Sequence, residues 1–206
     1  MFGGFLIFLV LQSIFGWHVY NLELTEHSQQ AISYWAYLGT AHFGEAVFEN
    51  WESEFLQMGS YVLLTAYLVQ RGSLESKPLD QKDRDGDFPE EATHQSPRLS
   101  RRKDLIYKIY RNSLSIALLG FFALSFVAHL ISGAAKFNKE QALTAGASPI
   151  TAWQFLGTSE FWFQSMQNWQ SEFLAVGCLV VLSIFLRQHG SSQSKPVTAP
   201  HSRTGA

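Results

Sequence analysis

The sequence predicts an all-α integral membrane protein: a four-helix bundle made of two tandem, parallel two-span repeats with short interfacial amphipathic helices. Three observations carry this prediction. Apolar segments of spanning length punctuate the chain, a long block of sequence occurs twice, and the basic residues are unevenly distributed.

The apolar segments come first. Hydrophobic residues make up 47% of the 206, yet ten of the fifteen Lys and Arg lie between Arg71 and Arg111, which leaves the rest of the chain strongly apolar. Met1–Val19 and Leu114–Ala135 are each long enough to cross a bilayer, which takes about 20 residues at about 1.5 Å apiece. A signal peptide is the rival reading of the first. No Lys or Arg precedes its apolar stretch, however, and no small-x-small cleavage site follows. Phe55–Val69 and Phe173–Leu186 are shorter and cover about 22 Å of a hydrocarbon core of about 30 Å. To span, each must extend backwards through an "NWxSEF" stretch, which brings Trp51 and Trp169 to the interface, where an indole has both an apolar setting and a polar partner. The spans are therefore expected at 2–20, 50–70, 113–135 and 168–187.

Orientation follows from charge. The linker Arg71–Arg111 and the tail after Leu186 together carry thirteen Lys and Arg, against Lys136 and Lys139 alone in the other two connections. Positive residues mark the cytoplasmic side. Both termini and the charged linker are expected there.

The duplication is the most specific feature. Gly39–Pro78 aligns with Gly157–Pro196 without a gap, with 19 of 40 positions identical, including "GT", "NWxSEFL" and "GSxxSKP". Upstream, with an offset one residue shorter, Gly3 aligns with Gly120, Gly16 with Gly133, and Tyr20-Asn21 with Phe137-Asn138. The expected organisation is repeat 1 at 1–78, a charged solvated linker at 79–112, repeat 2 at 113–196 and a disordered tail at 197–206. Two spans per repeat make both copies enter the membrane in the same sense, related by an axis along the membrane normal. Aromatic segments at 31–38 and 149–156, carrying Trp35 and Trp153, read as interfacial helices. Each is followed by a break at Gly39-Thr40 or Gly157-Thr158, with the threonine as N-cap of the next helix.

Chemistry-bearing residues come next. Asn50, Ser53, Glu54, Gln57, Tyr61 and Thr65 share one side of the second span, and Asn168, Ser171, Glu172 and Ser183 hold matching places in the fourth. Polar groups in a span avoid lipid, so this face is expected inside the bundle. Two readings of Glu54 and Glu172 stand open. They are structural pins fixing helix depth, or they bind a cation or share a proton across the pseudo-two-fold. Trp35, Trp51, Trp153 and Trp169 are expected as interfacial anchors, and Gly59 and Gly177 as sites of close helix packing. The single cysteine, Cys178, reads as a small buried hydrophobe.

Several classes have no support. His18 and His129 would sit about 9 Å apart in depth, a poor fit to a haem. His27, His42, Glu45 and Glu49 have no recognised metal-ligand spacing. No phosphate loop, nucleophile elbow or HExxH occurs, so no enzyme, cofactor or metal is expected. A net charge of −2 argues against nucleic acid. The expected partners are the lipid bilayer, a second copy of the chain and other membrane proteins. The function these features favour is a structural or interaction component of the membrane. The alternative is a small cation- or proton-handling transporter or channel, dimeric because four spans are few for a carrier.

The paired NWxSEFL heptapeptides, the aromatic interfacial segments and the closing GSxxSKP resemble a family of small bacterial multi-span membrane proteins of unknown function. The resemblance implies membrane residence and supplies no catalytic residue.

Overall fold

A computed structural model describes residues 2–73, 76, 88–144 and 148–204, without the side chains of Leu143 and Thr144. Leu74, Glu75, Lys77 and Pro78 of the first GSxxSKP stretch, and residues 79–87 of the linker, lie outside the described residues. Among the described residues every regular element is a helix. These are α1 (Phe2–Glu26), α2 (Tyr34–Tyr37), α3 (Ala41–Tyr67), α4 (Leu105–Arg111), α5 (Ser113–Thr144), α6 (Ala152–Leu156) and α7 (Ser159–Phe185), with 3-10 turns at Pro89–Glu91 and Arg98–Arg101.

All six prolines of the sequence fall outside the four long helices, where a proline would remove a backbone donor and break the turn. Three helical stretches are long and apolar enough to cross a membrane: Phe2–Glu26, Ser113–Ala142 and Ser159–Phe185. They mark the chain as a membrane protein. Helix α3 matches α7 at 27 residues but carries Glu45, Glu49, Glu52 and Glu54, which lowers its apolar character.

The chain divides into two compact units, Met1–Glu52 with Ala123–Asn168, and Ser53–Phe122 with Trp169–Ala206. Each unit draws on both sequence repeats.

In the first unit, α2 and α6 are held by matching devices. Ser33 caps α2 by accepting from the Ala36 N–H, and Thr151 caps α6 through a capping box with Gln154. Asn21 clamps the backbone of Ile32, donating to its carbonyl at 3.1 Å and accepting from its N–H at 2.8 Å. Asn138 clamps Ile150 in the same way, at 2.8 and 2.7 Å. Thr40 and Thr158 accept the N–H of Phe43 and Phe161, capping α3 and α7 as their positions predicted. Two apolar clusters result, one of Tyr20, Leu24 and Tyr37, the other of Leu130, Ala134, Phe155 and Phe161. Glycine permits each ring to approach: a Cβ on Gly133 would lie 2.7 Å from Phe155 Cε1, and one on Gly16 would strike the Tyr37 hydroxyl.

In the second unit, a Cβ on Gly59 would meet Leu119 Cδ2 at 3.0 Å, so α3 and α5 pack closely there. Phe55 lies 5.1 Å from Phe121 between ring centroids, and Phe122 meets the edge of Trp169 at 6.1 Å. Gln57 donates to the backbone carbonyl of Glu172 at 3.0 Å. The end of the charged linker forms α4, capped by Asp104, with Lys103 and Glu90 paired at 2.5 Å. The tail, expected to be disordered, is held by Arg187 donating to Ala199 O at 3.0 Å and Gly72 N–H donating to Thr204 Oγ1 at 2.8 Å.

Two expectations are corrected. Cys178 is exposed, because it lies on the side of α7 that presents apolar side chains outward instead of to a neighbouring helix. Gly177 faces open space, with nothing within 4 Å of a Cβ placed on it, so no described neighbour packs against it as Leu119 does against Gly59.

Candidate functional site

The first unit contains a buried polar cluster assembled from three helices. On α3, Glu45, Glu49 and Glu52 recur at i, i+4 and i+7, which puts their side chains on one face. On α5, His129 and Lys136 are seven residues apart and share a face by the same rule. On α7, Glu160, Gln164, Ser165 and Asn168 complete the set.

At its centre, the Nδ1 of His129 lies 2.7 Å from Glu52 Oε2, and both side chains are fully buried. Ser165 donates to the other oxygen of Glu52 at 3.2 Å. The imidazole stacks on Phe161, 4.9 Å between centroids, and its Nε2 lies 3.2 Å from Gln164 Oε1. The amide nitrogen of Gln164 donates to Glu45 Oε1 at 2.9 Å and to Glu160 Oε1 at 3.2 Å. Lys136 meets the second oxygen of Glu45 at 2.8 Å. Beside this chain of contacts, Asn168 donates to Glu49 Oε1 at 2.5 Å.

The hydrogen-bond directions assign protons. Ionised carboxylates can only accept, so Glu45 and Glu160 fix the Gln164 amide with its nitrogen towards them. Its oxygen then faces His129, and Nε2 of that ring carries a hydrogen. One further proton lies between His129 Nδ1 and Glu52 Oε2. With it on the ring, the pair is an imidazolium and a carboxylate; with it on Glu52, both are neutral. The arrangement can therefore store and exchange one proton with little atomic movement. Among the described residues, no three His, Cys, Asp or Glu side chains converge as metal ligands would.

Outside the long helices, burial with help from Glu23 and Tyr20 pushes the Tyr37 phenol up to about 12. Its hydroxyl lies 3.2 Å from His42 Nδ1.

A family model described as a domain of unknown function (DUF6766) matches residues 1–206. The chain belongs to that family. No curated protein and no solved structure matches it.

The residues singled out from sequence are distributed differently in this DUF6766 chain. Of the six proposed around the shared acids, Asn168 joins the buried cluster through Glu49, and Ser53 is buried. Asn50 is exposed and turns back to the Ala46 carbonyl at 2.7 Å. Glu54 and Ser171 are exposed, and Glu172 is half-buried. No hydrogen bond or ion pair joins the Glu54 and Glu172 carboxylates among the described residues. Trp35 and Trp153 are each 79% exposed, at equivalent positions of the two repeats. Trp51 packs on Phe5 and Phe48.

Sequence reasoning missed Glu45, Glu49, Glu52, His129 and Gln164 as a group because it weighted residues common to both repeats. None of these five is. Their equivalents are Phe163, Gln167, Gln170, Gln12 and Ala46. The i, i+4, i+7 spacing of the three acids, with His129 and Lys136 also seven apart, was the available signal.

Proposed function

We propose that this chain is a four-span integral membrane protein of a bacterial inner membrane that exchanges protons through the Glu52–His129 pair. The observation that carries the reading is the complete burial of an imidazole and a carboxylate 2.7 Å apart, His129 lying within a helix of spanning length. Ionisable groups inside spanning helices are costly to keep and mark proton or ion pathways by default. A proton is favoured over a metal cation by the lack of convergent ligands among the described residues.

The topology in this reading is two tandem two-span hairpins, with α3 as the fourth span and both termini cytoplasmic. The 19 identities in 40 aligned positions and the thirteen-to-two division of basic residues support it. So do the paired Asn21 and Asn138 clamps. The proton pair is built from residues that only one repeat possesses, so the two halves have diverged in role. Glu54 and Glu172 act in this reading as depth-setting pins.

A second reading, a structural or interaction component, is favoured by the closure of the cluster: Ser165 and Gln164 occupy the remaining positions around the pair. Purified protein in vesicles carrying a pH dye, under an imposed potential, separates the two. The proton reading expects flux that is lost on Glu52→Gln and kept on Glu54→Gln/Glu172→Gln. Flux no greater than in empty vesicles sinks it and leaves the structural reading.

A further inference from the structure

A cavity of about 540 Å³ in the first unit is lined by Tyr20, Glu23, His42, Lys136, Lys139 and Glu140, with Leu24 and Ala41 among the apolar lining. The volume lies within the roughly 300–1,000 Å³ of small-ligand sites.

Its charges divide into committed and open groups. Lys136 is committed, 2.8 Å from Glu45 and 3.9 Å from Glu140. Lys139 has no carboxylate partner among the described residues. Its ammonium donates to the Tyr20 hydroxyl and lies 4.6 Å from the centroid of that ring. On α1, the carboxylate of Glu23, which also lines the cavity, takes no hydrogen bond or ion pair among the described residues; the Glu23 bonds run through its backbone carbonyl. An open cation and an open anion thus line one cavity without meeting each other. A ligand with both charges satisfies both through charge-assisted hydrogen bonds, which are the strong ones.

We propose that this cavity binds a small zwitterion, a primary ammonium joined by a short chain to an anionic phosphate or carboxylate. Lys139 takes the anionic group, with the Tyr20 hydroxyl beside it, and Glu23 takes the ammonium. A simple anion would satisfy Lys139 and leave Glu23 and Glu140 to repel it. A simple cation would leave Lys139 open. The same chemistry exists free in solution and as the headgroup of phosphatidylethanolamine. The inference does not depend on proton exchange at Glu52 and His129.

The test uses the full chain in delipidated detergent, titrated with phosphoethanolamine by calorimetry, and native mass spectrometry of lipid retained from nanodiscs of phosphatidylethanolamine or phosphatidylglycerol. Binding of phosphoethanolamine is expected, at least tenfold tighter than phosphate or ethanolamine alone, and weakened at least tenfold by Lys139→Met and by Glu23→Gln. Both side chains are exposed, and an unchanged melting temperature in each variant is expected to verify the fold. Retention of phosphatidylethanolamine over phosphatidylglycerol, lost in both variants, identifies the lipid as the source. Binding of the soluble compound without lipid preference identifies a free zwitterion. The proposal is overturned if neither probe binds, if both variants bind like wild type, or if phosphatidylglycerol is the only lipid retained.

Discussion

Glu52 and His129 stand 77 positions apart in the sequence and meet at 2.7 Å with neither side chain exposed. Removing one partner of a buried pair strands the other, which costs about 3–5 kcal/mol, whereas replacing both with apolar groups of similar volume is close to neutral. Glu52→Leu and His129→Leu are each expected to destabilise the protein by roughly that amount. The double variant is expected to recover most of it. Unfolding in detergent for the four proteins of this cycle measures the coupling directly. Additive effects of the two replacements would mean the pair is not formed.

Gln164 sets the tautomer of His129 from a distance of one hydrogen bond. Its nitrogen faces Glu45 and Glu160, so its oxygen requires a hydrogen on His129 Nε2. Histidine nitrogen shifts by NMR are expected to place a proton on Nε2 in the wild type. Gln164→Leu removes the acceptor and leaves that N–H buried, at a cost of about 1–3 kcal/mol, and is expected to alter the Nε2 signal. A bare Nε2 in the wild type would show that the amide lies the other way round.

Much of the fold was legible before the structure, and the reason is local. Helix starts at Thr40 and Thr158 could be read because an N-cap is a short-range device whose accepting hydroxyl and donating N–H lie three residues apart. The long helices could be read from their apolar content. The cluster could not be read as readily, because its contacts join residues far apart in sequence. Repeat comparison also directed attention to Glu54 and Glu172, which both copies keep. Gln164 carried the least signal: its equivalent is Ala46, and nothing in the α7 pattern marks it as the bridge between a histidine and two acids. The exposure of Cys178 shows a related limit, since an apolar segment in a membrane protein need not be buried by protein.

Glycine substitutions distinguish close packing from open surface. A methyl group on Gly133 would lie 2.7 Å from Phe155 Cε1, against a ring that is itself 1% exposed and has little room to retreat. Gly133→Ala is expected to destabilise by about 1–3 kcal/mol, the usual cost of overpacking. Gly16→Ala pushes on the Tyr37 hydroxyl and is expected to fall in the same range. Gly177→Ala meets nothing within 4 Å and is expected to be neutral or slightly stabilising, since alanine is the better helix former. Melting of the three variants in one detergent ranks them, and a large loss at Gly177 would reveal a partner on that face.

Tyr37 supplies a pH signature outside the long helices. Its phenol is pushed from 10.0 up to about 12, chiefly by burial and then by the negative charge of Glu23. The folded chain therefore keeps a proton that the unfolded chain releases at lower pH. The sign follows from linkage: this contribution to stability is fully present below pH 10 and is lost as the pH rises towards about 12. Tyr37→Phe removes the group. The difference in ultraviolet absorbance between wild type and this variant, followed through an alkaline titration, is expected to trace one phenol with its midpoint near 12. A midpoint at 10 would mean that Tyr37 meets water freely and that the cluster of Tyr20, Leu24 and Tyr37 is open in solution.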